Sequence, residues 1–426
     1  MSQHTQVSGP RAAALPEGWV EISSYKPAVE VFRSRTVSAD TGGEVDACFR
    51  KGILLRSDPP VHTQRRKTMN KLMRRDGHRW FRSNVLYPTV AKRLGELRDG
   101  ADAEGRARID LVDFGTLVNL DFAAALIGLD RAREPEGAAE LRQLHEEVFV
   151  GAVDAFQELR LEDLDSTLLN RALAANDAFV ERFFNPAYEQ HEELLARFEA
   201  GEIGEDDLPH DLMMLLVAHA DPAWIDRDLA VRDSTALMRA AVHTSTQMLC
   251  NTLELLDDWF VDHPADAELR SDPEFRLLAI EEALRLRTII PAFIRRATED
   301  MELCDGTRVA TGEHILVRTG PASRDRAIFG EDADEFNPRR EVPTGAYRYG
   351  LAFNTGVHMC YGIPMVLGSQ GVDGSLVHLL GELYRAGASL DPEDRPHHVV
   401  RESVDHFPSF PLRLQFGADW TAEPQS

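Results

Sequence analysis

Phe353-Asn-Thr-Gly356-Val-His358-Met-Cys360-Tyr-Gly362 is the stretch that decides how this chain is read. A lone free cysteine is most often a small buried hydrophobe, since free thiols are packed inside more often than they react. Cys360 has a different setting. It ends a run from Gly320 to about Met359 that is rich in Gly, Pro, Asn and Asp, and it precedes a stretch of helical texture. Long structureless runs inside compact proteins are usually functional. A thiolate at such a junction would be favoured by the helix N-terminus and by backbone N–H groups. Gly356 and Gly362 would let the backbone come close to a flat, bulky partner. One thiolate, a nearby Phe353 and close glycine backbone are what a haem iron bound through cysteine requires.

Working outward, other segments carry charge in pairs. Glu282-Ala-Leu-Arg285 lies in a helical pattern, and its i, i+3 spacing puts acid and base on one face. Alone, such a pair is usually a solvated surface salt bridge. Asp58-Pro-Pro-Val-His62-Thr-Gln-Arg-Arg66 sets His62 and Arg66 one turn apart after a proline-initiated helix start, so both point toward one anion. The same helix carries Arg65, Lys67 and Lys71, for which exposed charge is the plain reading. In the helical stretch 237–260, Ala240-Ala241-Val242-His243-Thr244-Ser245 combines small residues with a hydroxyl. Alone, these alanines would simply allow close packing, and Thr244 would bond back to a carbonyl one turn earlier.

Together and in order, these pieces resemble the cytochrome P450 family: HxxxR, a long helix with Thr, ExxR, RxATED, SRD, FNPRR, and the loop Phe-x-x-Gly-x-His-x-Cys-x-Gly. The resemblance runs from about Trp19 to Phe410-Pro-Leu-Arg-Leu, with the usual N-terminal helix and first strand shortened. Tyr361 is bulkier and more polar than the family's usual residue there. The resemblance implies haem b, iron protoporphyrin IX, with Cys360 as the axial metal ligand and Phe353, Gly356 and Gly362 against the cofactor. It implies that His62, Arg66, Arg295 and His358 surround the propionates, two buried carboxylates that demand such pairing. Arg296 is the neighbouring register to Arg295. Glu282, Arg285 and Arg340 would form the family's lock beneath the haem loop. Thr244 would serve oxygen activation, while His243 stands where the family carries an acid and could relay protons, because imidazole donates and accepts on opposite edges. Ala240, Ala241, Phe293 and Ile294, with segments 38–57 and 148–170, would line the substrate pocket.

The fold class expected is mainly α with a small β region, the haem enclosed between a long central helix and the cysteine loop. Apolar residues repeat at 3 or 4 spacings over 111–129, 166–184 and 237–260. Beyond residue 290 the pattern changes to short strands in hairpins at Asp305-Gly306 and Thr311-Gly312. The stretch 362–383 reads as a helix, though one unusually rich in glycine. Residues 1–18 read as a mobile tail and 19–426 as a single domain, although length alone favours two.

The net charge of −24 on 426 residues disfavours nucleic acid and anionic membranes as partners. The four cysteines, Cys48, Cys250, Cys304 and Cys360, have no CxxC pairing, and no signal peptide or apolar span is seen, so a soluble cytoplasmic protein is expected. The resemblance implies a bacterial-type monooxygenase that inserts one atom of O2 into a C–H bond of a lipophilic small molecule, in a setting such as natural-product biosynthesis. No flavin or nicotinamide fingerprint is present, so an external ferredoxin and ferredoxin reductase would supply electrons from NAD(P)H, with Arg339 or Arg340 as a docking contact. Its alternatives are a peroxygenase, a non-oxygenating enzyme of the same fold performing rearrangement, dehydration or coupling, and a non-catalytic haem-fold partner protein.

Overall fold

The computed structural model describes residues 15–41, 49, 51–156, 166–219, 226–369, 371–399 and 406–422. Most of the expected tail, Cys48 and parts of the expected pocket segments, 42–48 and 157–165, lie outside these residues. The chain runs through β1 (Trp19–Ile22), α1 (Tyr25–Arg33), β2 (Val37–Ser38), α2 (Val61–Met69), α3 (Arg75–Phe81), α4 (Tyr87–Asp99), β3 (Arg106–Asp110), α5 (Leu111–Ile127) and α6 (Pro135–Phe156). It continues with α7 (Ser166–Phe179), α8 (Asn185–Glu199), α9 (Leu212–Ala218), α10 (Arg227–Asp262) and α11 (Pro273–Leu286). Then come β4 (Phe293–Ala297), β5 (Met301–Glu302), β6 (Arg308–Val309), β7 (His314–Val317), β8 (Gly368–Ser369), β9 (Val372–Asp373), α12 (Ser375–Arg385), β10 (Ser389–Leu390) and β11 (Pro411–Gln415). Shorter helical turns are named below by their residues.

The mainly helical class with small sheets is what the chain adopts. The spine is α10, whose 36 residues span about 54 Å at 1.5 Å per residue. Asp226 caps it by accepting from Leu229 N at 2.7 Å, satisfying one of the orphan donors of the first turn. Its buried face, including Met238, Val242, Leu249 and Leu253, joins α5, α11 and α12 in one large apolar core. A second, smaller core lies between α1 and a sheet of order β1-β7-β4-β2. In that sheet β1 runs parallel to β7, Trp19 opposite His314, and the other pairs are antiparallel. Despite the short N-terminal segment, both β1 and β2 contribute to it. The expected hairpin at Asp305-Gly306 is β5–β6, whereas Thr311-Gly312 leads from β6 into β7, which pairs with β4 and β1 in another sheet; a third sheet joins β10, β11 and β3.

The stretch 362–383 is not one helix. Only Ile363–Val366 is helical after the cysteine, and the chain then turns through the β8–β9 hairpin before α12 starts at Ser375. Glycine is the cause. A Cβ on Gly374 would sit 2.1 Å from Val366 O, so the return of the chain past its own helical turn is possible only without a side chain. The helix-dipole argument for the thiolate therefore shrinks to a single turn.

Candidate active site

The cysteine loop is held from two sides. Cys360 N donates to Phe353 O at 2.9 Å and Met359 N to Gly356 O at 3.2 Å, which closes the loop on itself. Asn354 takes the left-handed conformation, with φ 59°, at the bend. From α1, Arg33 Nε donates to Thr355 Oγ1 at 3.2 Å, and Tyr347 shares a 3.2 Å hydrogen bond with the same hydroxyl. Gly356 has a role different from the one expected: a Cβ there would fall 2.4 Å from Phe32 O, so glycine lets the loop close against the end of α1. Gly362 remains open, its virtual Cβ 3.6 Å from Cys360 Sγ. Phe353 is partly buried, edge-on to Tyr349 at 5.1 Å between ring centres.

Cys360 is exposed to solvent, yet packed closely enough that burial raises its thiol pKa above the ordinary value. The backbone N–H groups of Gly362 and Ile363 and the charge of Arg66 oppose that rise without overcoming it. The expected preference for thiolate is thus absent from the free thiol; a ligated metal would supply it, because coordination deprotonates the sulfur. Accessibility combined with desolvation marks the wall of an interior cleft.

Cations converge beside this sulfur. Arg66 Nη1 donates to Met359 O at 2.8 Å, and its guanidinium lies 5.3 Å over the Tyr361 ring, a cation–π contact that makes use of the larger residue after the cysteine. His62 is buried, with its ring centre 4.4 Å from that of His358. Arg295 is 4% exposed on β4, whereas Arg296 on the opposite strand face is half-buried, so the strand turns Arg295 inward. Desolvation and the charges of Arg295, His62 and Arg66 hold His358 down to about pKa 3. Burial and Arg56 bring Arg295 down to about 10. Arg295 Nη2 is buried with no hydrogen-bond partner among the described residues. The acid acting on this group is Asp58, whose oxygens also accept from Ser38 Oγ and Ala39 N. Arg56, which acts on both Arg295 and His358, escaped the reading of the sequence; Leu54-Leu-Arg56-Ser57 carries no signal beyond its nearness to Asp58.

Arg65, expected as exposed charge, is instead buried, paired with Asp233 of α10 and donating to Gly52 O. It points about 100° around α2 from Arg66, toward the core. The expected lock is assembled. Arg285 meets Glu282 through two bonds of 2.8 and 2.7 Å, and Arg340 Nε reaches Glu282 Oε1 at 3.0 Å. Their remaining donors go to Ser323 O, Ala333 O, Phe329 O and Asp332. Glu282, Arg285 and Arg340 are all buried, but Arg339 points outward to Asp266.

On α10, Ser234, Thr235, Thr244 and Thr252 all bond back to carbonyls in the preceding turn, Thr244 to Ala240 O at 2.6 Å. Back-bonding alone would make Thr244 unremarkable. The difference is exposure: the other three are buried, while Ala240 is exposed and Ala241 and Thr244 are half-buried in the middle of the core helix. Its hydroxyl proton is directed to Ala240 O, so its oxygen remains able to accept. Burial and nearby His406 hold His243 down to about pKa 4, so it is neutral near pH 7. Phe293 packs edge-on to Phe32 at 5.9 Å and belongs to the small-sheet core. Ile294 lies on the other strand face.

The profile of the cytochrome P450 family matches residues 276–367, which include the lock and the cysteine loop. Nocardicin C N-oxygenase of Nocardia uniformis subsp. tsuyamanensis is 32% identical over 246 residues, 56% of this chain and 55% of that enzyme. The matched stretch thus spans about half of that relative. The putative cytochrome P450 YjiB of Bacillus subtilis strain 168 is 29% identical over 323 residues, 73% of this chain and 69% of its own length. Substrate-free CYP109E1 from Bacillus megaterium shares the fold, with a TM-score of 0.69 at 21% identity over 93% of both chains. The chain is thus similar to the cytochrome P450 family in its lock and cysteine-loop region and shares the fold of a solved member. P450 proteins carry a haem bound through cysteine, and the residues here fit that group: an accessible thiol that packing desolvates, a buried Arg295 and a half-buried Arg66 beside the imidazoles of His62 and His358, and an Arg295 nitrogen with no hydrogen-bond partner among the described residues. No helix among the described residues is long and apolar enough to cross a membrane.

Proposed function

We propose that this chain is a haem-thiolate monooxygenase of the soluble cytoplasmic type, acting on a lipophilic small molecule as one unit from about residue 19 onward. The observation that carries the reading is the thiol of Cys360, accessible inside a cleft whose flank bears His62, Arg66, Arg295 and His358 with too few acids to match them. When bound, haem b would supply activation of O2 and insertion of one oxygen atom into a C–H bond. The chain's own part is positional. Cys360 would hold the metal, and His62, Arg66, Arg295 and His358 would take the propionates, whose negative charge would match the cations there. Glu282, Arg285 and Arg340 brace the loop from beneath. Ala240 and Ala241 leave space along α10, Ile294 offers apolar contact, and Thr244 presents a hydroxyl oxygen fixed by Ala240 O. His243, neutral and beside Thr244, passes protons inward. Electrons come from a separate ferredoxin and its reductase, drawing on NAD(P)H. A role in natural-product metabolism agrees with the name of the nocardicin C relative.

A peroxide-driven reaction at the same site is the second reading, because α10 carries His243 in place of an acid. Supplying hydrogen peroxide in one assay and a ferredoxin system in another separates the two. The test of the main reading is spectroscopic: reduced protein treated with carbon monoxide should show the absorption band of thiolate ligation, and Cys360→Ser should abolish it. An identical spectrum from both proteins would remove the haem-thiolate reading.

A further inference from the structure

A buried pair joins α8 to α9, and the haem-thiolate reading makes no use of it. His191 of α8 is 1% exposed, and Asp211, the residue that caps α9, is 8% exposed. His191 Nε2 lies 3.1 Å from Asp211 Oδ2, and Nδ1 lies 2.6 Å from Ala187 O, one turn earlier on α8. A carbonyl and an ionised carboxylate can only accept. A neutral imidazole carries a single N–H, so one of its nitrogens would turn a lone pair toward an oxygen. Both contacts are met when the ring holds two protons. Placing the extra proton on Asp211 would meet them too, but imidazole is the stronger base, ordinarily about 6.5 against about 3.9.

The surroundings hold the carboxylate ionised and dry. Asp211 Oδ1 accepts from Met214 N at 2.8 Å, a first-turn donor of α9. Gly128 ends α5 with φ 98°, and a Cβ there would fall 2.7 Å from Asp211 Oδ2, so backbone closes that side of the acid. A second acid, Asp130 in the turn after α5, acts on the ring, and Gln190 of α8 donates to it at 3.3 Å. α9 is uncharged from Leu212 to Ala218; on α8 itself, Glu189 is drawn to Arg227 of α10 and Glu192 acts on Tyr188. Burial works against the second proton, and the two carboxylates with Ala187 O outweigh it, so the pKa of His191 stands above its ordinary value.

We propose that His191 is a buried imidazolium whose second proton latches α8 to α9 and to the end of α5, and that α8 loosens from α9 when rising pH removes it. The latch goes beyond the haem-thiolate reading and stands apart from it. With two protons on the ring, both nitrogens and both carboxylate oxygens are matched. With one, Asp211 is left as a buried charge and a ring nitrogen opposes an oxygen. Because the folded chain holds this proton more tightly than the unfolded one, its contribution is full below about 6.5 and is lost as pH rises through the raised pKa of the folded ring.

The test uses the full chain with isotopically labelled histidine, reduced and under carbon monoxide so that bound haem is diamagnetic. His191→Gln identifies the ring signals by their loss. At about pH 6, below the ordinary midpoint, both His191 ring nitrogens of the parent should resonate as protonated. In Asp211→Asn, which keeps a capping oxygen for α9, one of them should resonate as unprotonated. Amide hydrogen exchange over residues 185–218, corrected for the intrinsic rate at each pH, should quicken about 10–100-fold as the parent ring titrates, the range that loss of one charge-assisted hydrogen bond sets. His191→Gln should show no such step. An unprotonated ring nitrogen in the parent at that pH, or the same exchange step in parent and His191→Gln, would overturn the latch. The thiolate band of the same sample is read separately, and its absence would leave this result standing.

Discussion

Two clusters of buried charge lie at the cysteine loop and differ in how their charge is matched. In the lock, the guanidiniums of Arg285 and Arg340 share the carboxylate of Glu282, and further donors end on carbonyls and on Asp332. Beside Cys360, His62, Arg66, Arg295 and His358 crowd together, and burial depresses the basicity of each, reinforced by neighbouring cations at His62, Arg295 and His358. The first cluster is complete without anything added. The second sets buried Arg295 and half-buried Arg66 beside two imidazoles that burial keeps neutral, and it becomes favourable when an anion arrives, because burying an unmatched cation is repaid only by opposite charge. Matched charge thus marks architecture, and unmatched charge of one sign marks a place for a ligand.

Breaking each cluster should give opposite signatures. Arg285→Leu would leave Glu282 buried without its bidentate partner and should cost about 3–5 kcal/mol in guanidinium denaturation of the apoprotein. Arg295→Gln removes an unpaired cation, so apoprotein stability should hold or rise. The same variant should release haem about 10–100-fold faster to apomyoglobin, through loss of a charge-assisted hydrogen bond. Equal destabilisation by both substitutions would erase the contrast.

Acid sharpens it further. His62 and His358 have folded-state pKa values below the ordinary 6.5, so the unfolded chain binds more protons as pH falls. Stability from these two groups is therefore full above 6.5 and is lost on acidification toward about pH 3. Haem propionates would let both rings protonate in place, so denaturation curves of the holoprotein should depend less steeply on pH than those of the apoprotein. The smallest effect separates neighbours in sequence: Arg339→Ala should cost less than about 1 kcal/mol, since its pair with Asp266 is on the surface, while Arg340→Ala should cost several times more.

The cysteine loop, the Glu282–Arg285 pair and the HxxxR pair were legible because each is a short pattern whose spacing carries its geometry. Arg65 was not. It and Arg66 differ by one step around α2, and nothing in the sequence says which side of that helix meets Asp233 of α10. The turn at 366–374 was hidden for a related reason: its glycines weaken a helix anywhere, but they form a hairpin because Gly374 passes Val366 O at a distance no side chain permits.

The order of the motifs, the resemblance to the cytochrome P450 family and the mainly helical class follow from the sequence by itself, since they depend on residue type and local periodicity. The tertiary structure decided which arginine turns inward and which hydroxyl of α10 is accessible. Those outcomes depend on desolvation, and desolvation is set by every atom packed around a group, most of them far away along the chain.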